Sequence, residues 1–264
     1  MITLTTDFGT RDAYVAAMKG TILSLYPDTR LVDVTHEISP QDVMEAAFVL
    51  REAIPHFPEG TVHLVVVDPG VGTDRRPIAL RRDGHWFVGA DNGLFPLVLD
   101  GADPEGAVAL DTPAVWRTDS PSTTFHGRDI FAPVAAHLAA GRTLAEVGSP
   151  IDELTPLRWA LPLVDEEGIR GFVVHIDHFG NCITNISRST FAQHVGLNDG
   201  AATGFKCFVG SHSATEVHAT YGAVSKGDPL LLFGSTGFLE IAVNGGNAAE
   251  LLDIRKGDAV NIVF

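Results

Sequence analysis

At 264 residues and 45% hydrophobic, the chain can bury a substantial core but lies near the upper size that one core supports, so one large domain or two smaller ones are expected. Eighteen Lys and Arg against 33 Asp and Glu leave a formal net charge of −15, a field that repels a polyanion and argues against a nucleic-acid partner. The start, Met1-Ile2-Thr3-Leu4-Thr5, has no basic stretch leading into an apolar one, and no window offers about 18 uncharged apolar residues, so the reading is a cytoplasmic protein with no membrane role.

Taken in order, Ile2–Thr6 reads as a strand, and Asp12 as the cap of a helix in which Ala13, Ala17, Ile22 and Leu25 recur near helical spacing until Pro27 stops it. Leu31–Val34 reads as a second strand. Ser39 as a capping residue before a first-turn Pro40, with Asp42 as an acid near the helix N-terminus, predicts a second helix running to about Ala53. Val62–Val67 is a nearly unbroken apolar run, the mark of a strand buried on both faces, and it delivers Asp68 at its C-terminal end. Strands at Ile78–Arg81 and Trp86–Val88 come next, then a helix from about Ile130 to Ala140 that ends at Gly141.

Pro150, Pro156 and Pro162 then punctuate a stretch ending in Asp165-Glu166-Glu167-Gly168, which reads as a linker with a boundary near residue 165. Beyond it lie short β-like runs at Phe172–Ile176, Cys182–Ile186, Phe205–Val209, Val217–Tyr221, Leu230–Phe233, Leu239–Val243 and Ala259–Val263. The expected fold is an α/β N-terminal domain over residues 1–164, a mostly parallel sheet between helices. A smaller all-β, barrel-like domain then covers residues 165–264.

Three loops of the first half concentrate charge beside glycine. They are Thr6-Asp7-Phe8-Gly9, Asp68-Pro69-Gly70-Val71-Gly72-Thr73-Asp74-Arg75 and Phe125-His126-Gly127-Arg128-Asp129. Each alone has a structural reading: Asp7 and Asp68-Pro69-Gly70 as turn formers, His126 as a helix cap, Arg128 and Asp129 as a surface pair of little energetic value. Their co-occurrence shifts the weight to a site, because ligands of open α/β sheets bind beyond the carboxyl ends of the strands. Other templates fail. The Gly70-x-Gly72 pair lacks the third glycine and basic residues of a phosphate loop, and no G-x-S-x-G is present. His175-x-Asp177 is a metal pair without a third ligand, and Cys182 and Cys207 form no C-x-x-C, so no metal is expected.

The motifs Thr5-Thr6-Asp7-Phe8-Gly9, Asp12-x-Tyr14-Val15-x-x-Met18-Lys19-Gly20, Val34-Thr35-His36, Val67-Asp68-Pro69-Gly70-Val71-Gly72, Phe125-His126-Gly127-Arg128-Asp129 and Phe179-Gly180-Asn181-x-x-Thr184-Asn185 run in one order along the chain. Together they resemble the S-adenosylmethionine hydroxide adenosyltransferases, hydrolytic relatives of the fluorinase and chlorinase. The resemblance implies hydrolysis of S-adenosylmethionine to adenosine and methionine, with the sulfonium compound as substrate and no cofactor. It also implies a homotrimer with sites between subunits. By the same resemblance Asp68, Arg75 and His126 form the water-activating set, Arg75 being preferred to Arg76 on spacing alone. Asp7 corresponds to a carboxylate gripping the ribose hydroxyls. Asp12, Asp177 and Ser235 correspond to positions near the methionine amino and carboxylate groups, and Phe179, Asn181 and Tyr221 to the adenine surroundings.

Halogenating relatives carry an uncharged residue where Asp68 stands and commonly an Arg where Thr236 stands, so the residues favour hydrolysis over halide transfer. A non-catalytic adenosine or S-adenosylmethionine binding module is the reading from a different class. It has no use for a water-activating set.

Overall fold

The computed structural model describes residues 1–157, 160–197, 202 and 204–264, which divide into two compact units, Met1–Leu157 and Arg158–Phe264. The first unit comprises β1 (Ile2–Thr6), α1 (Tyr14–Leu25), β2 (Leu31–Thr35), α2 (Val43–Ala53), β3 (Val62–Val66), β4 (Pro77–Arg82), β5 (His85–Ala90), α3 (Leu94–Val98), β6 (Gly106–Ala109), α4 (Ala132–Ala139) and β7 (Ser149–Pro150). Its strands form one sheet in the order β2-β1-β3-β5-β4-β6-β7. The first four run parallel, and β4, β6 and β7 add antiparallel.

The apolar run of β3 behaves as its composition predicts. Val62, Leu64 and Val66 enter a core shared with Met18 and Ile22 of α1 and Val134 and Leu138 of α4. Val65 and the adjoining Val67 enter a second core with Leu50 of α2 and Phe95 of α3 on the opposite face. Side chains alternate across a strand, so a strand covered on both faces is apolar at nearly every position, and the one polar side chain of β3, the buried His63, is bonded to Thr3 and His85. The C-terminal ends of β1 and β3 are therefore rigidly placed, and they carry Asp7 and Asp68.

Local chemistry moves three helix starts. The N-cap of α1 is Ala13, without a side-chain bond, so Asp12 does not cap it; Val15, Met18 and Ile22 are its buried stripe, whereas Leu25 is exposed. The cap of α2 is Asp42, whose carboxylate accepts from Glu45 N at 2.8 Å, and Pro40 precedes the helix. The last helix begins earlier, as a π-helical segment Gly127–Phe131 that runs into α4. Pro133 has no N–H to offer the Asp129 carbonyl, which takes Arg117 N at 2.9 Å instead.

The second unit contains β8 (Leu163–Asp165), β9 (Gly168–Ile176), β10 (Cys182–Ser187), α5 (Arg188–His194), β11 (Lys206–Val209), β12 (His212–Ala214), β13 (Val217–His218), β14 (Pro229–Phe233), β15 (Phe238–Val243), α6 (Ala248–Leu251) and β16 (Ala259–Val263). They form one nine-stranded sheet, ordered β12-β11-β16-β9-β10-β15-β14-β13 with β8 on β9. All pairs are antiparallel except β13 with β14. One face buries Ile241, Val260 and Ile262 against Phe191 of α5 and Ala248 of α6. Both cysteines lie in this core as free thiols pushed up to about 12 by burial, which makes them inert. Tyr221, expected at the end of a strand, opens a 3-10 turn (Tyr221–Ala223) instead, because β13 ends at His218. Among the described residues no helix is long and apolar enough to cross a membrane.

Candidate active site

The loop after β3 doubles back through two consecutive turns, with Val71 N bonded to Asp68 O at 3.2 Å and Thr73 N to Gly70 O at 3.1 Å. Gly72 has φ +78, and a Cβ there would lie 2.5 Å from the Thr123 carbonyl oxygen, so only glycine lets this loop close on the segment that leads to His126. The turn returns Arg75 to Asp68. Arg75 Nε donates to Oδ1 at 2.8 Å and Nη2 to Oδ2 in a bidentate pair whose side chains are 8% and 5% exposed. The same Nη2 reaches His126 Nδ1 at 3.0 Å. Among the described residues Arg75 Nη1 is buried without an acceptor. Arg76 turns away to Asp91 and the Glu153 carbonyl, so geometry separates the two neighbouring arginines.

His126 is held by the segment on its C-terminal side. A Cβ on Gly127 would sit 3.1 Å from Val66 Cγ1 and 3.3 Å from Met18 Sδ, so the glycine seats the π-helical segment directly on the end of β3. Asp129, fully buried, accepts from Arg117 Nε at 2.5 Å, Arg128 Nε at 2.7 Å, Arg128 Nη2 at 2.8 Å and Ser122 N at 2.9 Å. The alternative reading of Arg128 and Asp129 as a surface pair does not hold, because Asp129 is a buried hub for two part-exposed arginines. Burial alone would raise the Asp129 carboxyl, but bonds from Arg128, Ser122 and Arg117 hold it far below the usual range. Burial, and then the charge of Arg75, push the His126 imidazole below its usual value against the opposing pull of Asp68 and Asp129.

At the end of β1, Asp7 accepts from Gln41 N at 2.7 Å through Oδ2. Gln41 takes a left-handed φ of 66 to make that bond. The rings of Phe8, Tyr14 and Phe125 pack on one another at 5.3 to 5.8 Å between centroids, tying the Asp7 loop to the His126 loop. Asp12 is exposed just ahead of α1.

In the second unit, Asp177 spends its carboxylate on the turn it opens: Oδ1 accepts from Phe179 N and Asn181 N, and Oδ2 from Asn181 Nδ2 at 2.9 Å. Gly180, at φ +85, makes the turn possible, since a Cβ would fall 2.0 Å from Asn247 Oδ1. The Asn181 amide is thereby fixed with its oxygen directed away from Asp177, while the Phe179 ring stands 74% exposed. Tyr221 donates its hydroxyl to Glu240 Oε2 at 2.8 Å. Glu240 is buried in β15, and burial together with the charge of Asp177 raises its carboxyl although the Tyr221 bond opposes this. Gly234 lies against that carboxylate, beside the exposed Ser235. Glu240 was not singled out from sequence. Its signal is a lone acid inside the apolar strand Leu239-Glu240-Ile241-Ala242-Val243.

Among the described residues no group of three or more His, Cys, Asp or Glu is placed to hold a metal ion.

Against known proteins, residues 2–148 match the SAM hydroxide adenosyltransferase N-terminal domain and residues 171–261 its C-terminal domain. The chain is 43% identical to an (R)-S-adenosyl-L-methionine hydrolase of Salinispora tropica, covering 99% of this chain and 97% of the relative. It is 41% identical to one from Thermus thermophilus, with 97% of each covered, and 30% identical to a fluorinase of an Actinoplanes species, with 99% and 97% covered. In structure it is similar to an uncharacterized conserved protein of Thermotoga maritima, with a TM-score of 0.89, 37% identity and coverage of 99% of this chain and 100% of the other.

Proposed function

This chain belongs to the SAM hydroxide adenosyltransferase family and is an S-adenosyl-L-methionine hydrolase, and we propose that it splits its substrate by direct attack of water on the ribose C5′. The observation that carries the mechanism is the Asp68–Arg75–His126 cluster with its uncommitted donor, Arg75 Nη1. A buried donor without an acceptor costs about 1–3 kcal/mol, and an oxygen nucleophile seated there removes that cost.

In the step proposed, the water oxygen bonds to C5′ while the C5′–S bond breaks and its electron pair goes to sulfur. The leaving thioether is neutral, so no general acid is required. Asp68 accepts a hydrogen bond from the water through a lone pair that Arg75 leaves unused. Arg75 Nη1 and the His126 Nε2–H donate to the oxygen as hydroxide character grows, and the released proton passes by way of Asp68 to solvent. No metal or organic cofactor takes part in this scheme.

For the substrate, Asp7 Oδ1 is an acceptor for a ribose hydroxyl, Oδ2 being anchored. Tyr221 offers an aromatic face to adenine with Phe179 and Asn181 beside it, and Asp12, Asp177 and Ser235 serve the methionine end. Because the Asp177 oxygens already hold a turn, its contribution to an ammonium group is electrostatic more than a direct bond. The family resemblance supports a homotrimer with sites between subunits and a cytoplasmic enzyme. The names of the relatives support the (R) sulfonium epimer as substrate. Displacement at C5′ is indifferent to the configuration at sulfur, so any preference must come from contacts to the methyl group and the methionine arm.

The test is to incubate each resolved epimer with the protein and separate the products by chromatography. Adenosine and methionine in equal amounts, formed faster from the (R) epimer, are expected. Free adenine, or 5′-methylthioadenosine, in place of adenosine would overturn the reading.

A further inference from the structure

Resting on the assignment of Asp7 to the ribose hydroxyls, we propose that His36 is a positioning residue that fixes the Asp7 carboxylate for ribose recognition, acting through the hydroxyl of Thr6. The residues flanking Asp7 converge on His36, through its ring, through Thr6 or through its backbone carbonyl. Thr6 Oγ1 lies 2.9 Å from His36 Nδ1, with both side chains buried. Phe8 N donates to the same Thr6 oxygen at 3.3 Å, and Gly9 N donates to the His36 carbonyl at 2.7 Å. Gly9 has φ +64, so the chain turns sharply just beyond the carboxylate.

The direction of the chain of bonds is set at its far end. His36 Nε2 lies 3.1 Å from Asp33 Oδ1, off the line of an ideal hydrogen bond, and Asp33 Oδ2 accepts from Lys19 Nζ at 2.6 Å. Burial would raise the Asp33 carboxyl, but the bond from Lys19 and the adjacent His36 hold it below its usual value, so it is an ionised acceptor. The imidazole proton facing Asp33 is therefore on Nε2. In the neutral ring Nδ1 is left as an acceptor, and the Thr6 hydroxyl donates to it. That orientation turns the Thr6 lone pairs toward Phe8 N. The polarity runs from Phe8 N–H through Thr6 and His36 to Asp33 without a conflicting donor.

The backbone prepares this contact. β1 and β2 pair Leu4 with Asp33 and then Thr5 with Thr35, so Val34 is an extra residue in the ladder. Such a bulge re-aims the residues beyond it, here bringing His36 alongside Thr6. Gln41, which anchors Asp7 Oδ2, lies five residues further along the same connection. The β2–α2 connection thus holds both the loop that carries Asp7, through Thr6 and Gly9, and the carboxylate itself, and Oδ1 remains for the ligand.

The experiment compares adenosine with 2′,3′-dideoxyadenosine, which lacks the diol, by calorimetry on the intact protein and on the Asp7→Ala, His36→Ala, Thr6→Val and His36→Asn variants. Asp7→Ala should abolish the preference for adenosine. His36→Ala and Thr6→Val should cut that preference roughly three- to thirtyfold, within the span of coupling found inside one bonded network, while dideoxyadenosine affinity stays unchanged. His36→Asn, whose amide reaches the Nδ1 position, should restore part of it, and His36→Ala should add nothing to Asp7→Ala. Equal losses for both nucleosides, or a full preference retained in Thr6→Val, would show His36 to be a core residue only. Should Asp7→Ala itself keep the preference, the inference falls together with the ribose assignment beneath it. Thr6→Val preserves side-chain shape, so it carries the test if His36→Ala does not fold.

Discussion

Arg75 Nη2 lies 3.0 Å from His126 Nδ1, and because a guanidinium nitrogen only donates, that ring nitrogen must carry a lone pair. The His126 proton then resides on Nε2, and the ring is neutral for as long as the bond persists. Burial and the Arg75 charge act in the same sense by lowering the imidazole's affinity for a second proton. In nitrogen-15 spectra His126 should show the Nε2–H tautomer and titrate below 6.5. The acid limb of kcat/KM should track that titration, with activity present above it and lost as pH falls through it. An Nδ1–H tautomer, or a titration above 6.5, would break the proposed donor arrangement.

Asp68→Ala removes the proposed hydrogen-bond acceptor for water and the partner of a nearly buried arginine in one change. An interaction that grows toward the transition state is lost from kcat rather than from binding. The expected fall in kcat is on the order of 10²–10⁴-fold, with substrate affinity far less affected. Stability should also drop by roughly 3–5 kcal/mol, because the Arg75 charge loses its partner. With the intact protein, added chloride should give no 5′-chloroadenosine, since the carboxylate disfavours an anion beside it. Near-normal turnover in the variant would return Asp68 to a turn-forming role.

Tyr221 presents its ring while its hydroxyl is tethered to the buried Glu240. Tyr221→Ala should weaken adenosine binding by about 1–3 kcal/mol, the scale of a lost base–aromatic stack. Tyr221→Phe should lose less, because the ring stays and only the tether goes. Calorimetry returning an unchanged dissociation constant for the alanine variant would mean that the ring does not meet the base.

His63 sits fully buried in β3, with Nδ1 2.8 Å from Thr3 Oγ1 and Nε2 3.2 Å from His85 Nδ1. Burial, then the nearby His85, lower it from 6.5 to about 3. Because the folded value is the lower one, the unfolded chain binds the extra proton between those limits. Stability must therefore fall as pH drops from about 6.5 toward 3, by up to about 1.4 kcal/mol per pH unit for this one group. His126 and His137 are shifted in the same sense, so the difference from His63→Gln isolates the contribution. Urea unfolding from about pH 6.5 down to about pH 4.5 should show a shallower pH dependence in the variant. Equal slopes in the two proteins would mean that His63 is protonated in the fold.

The clearest sequence signals were those enforced by two-sided burial or by the ends of parallel strands. The β-branched apolar run of β3 reads as a buried strand, and it places Asp68 just past its tip by chain order alone. Where two polar residues suit one role, pattern picks the wrong one. Ser39 ahead of Pro40 reads as the N-cap of α2, but the Glu45 N contact gives that place to Asp42. The short helix α3 escaped detection because Pro96 interrupts its pattern, and β12 because His212-Ser213-Ala214 has no apolar alternation. The Asp129 hub needs partners as distant as Arg117, which nothing in Gly127-Arg128-Asp129 reveals. His36 stood within a recognisable motif, but its role depends on the bulge at Val34, a property of the pairing and not of the residues.

The claim that water itself attacks C5′ is tested most directly by a single turnover in oxygen-18 water with the protein in excess over substrate. Both Asp68 oxygens are engaged by Arg75, which blunts the carboxylate as a nucleophile and leaves water to form the new bond. Direct attack predicts adenosine carrying the label at its 5′ oxygen in the first turnover. Attack by a carboxylate, with later hydrolysis of the resulting ester at its acyl carbon, would place an unlabelled protein oxygen there, and unlabelled adenosine would contradict the mechanism.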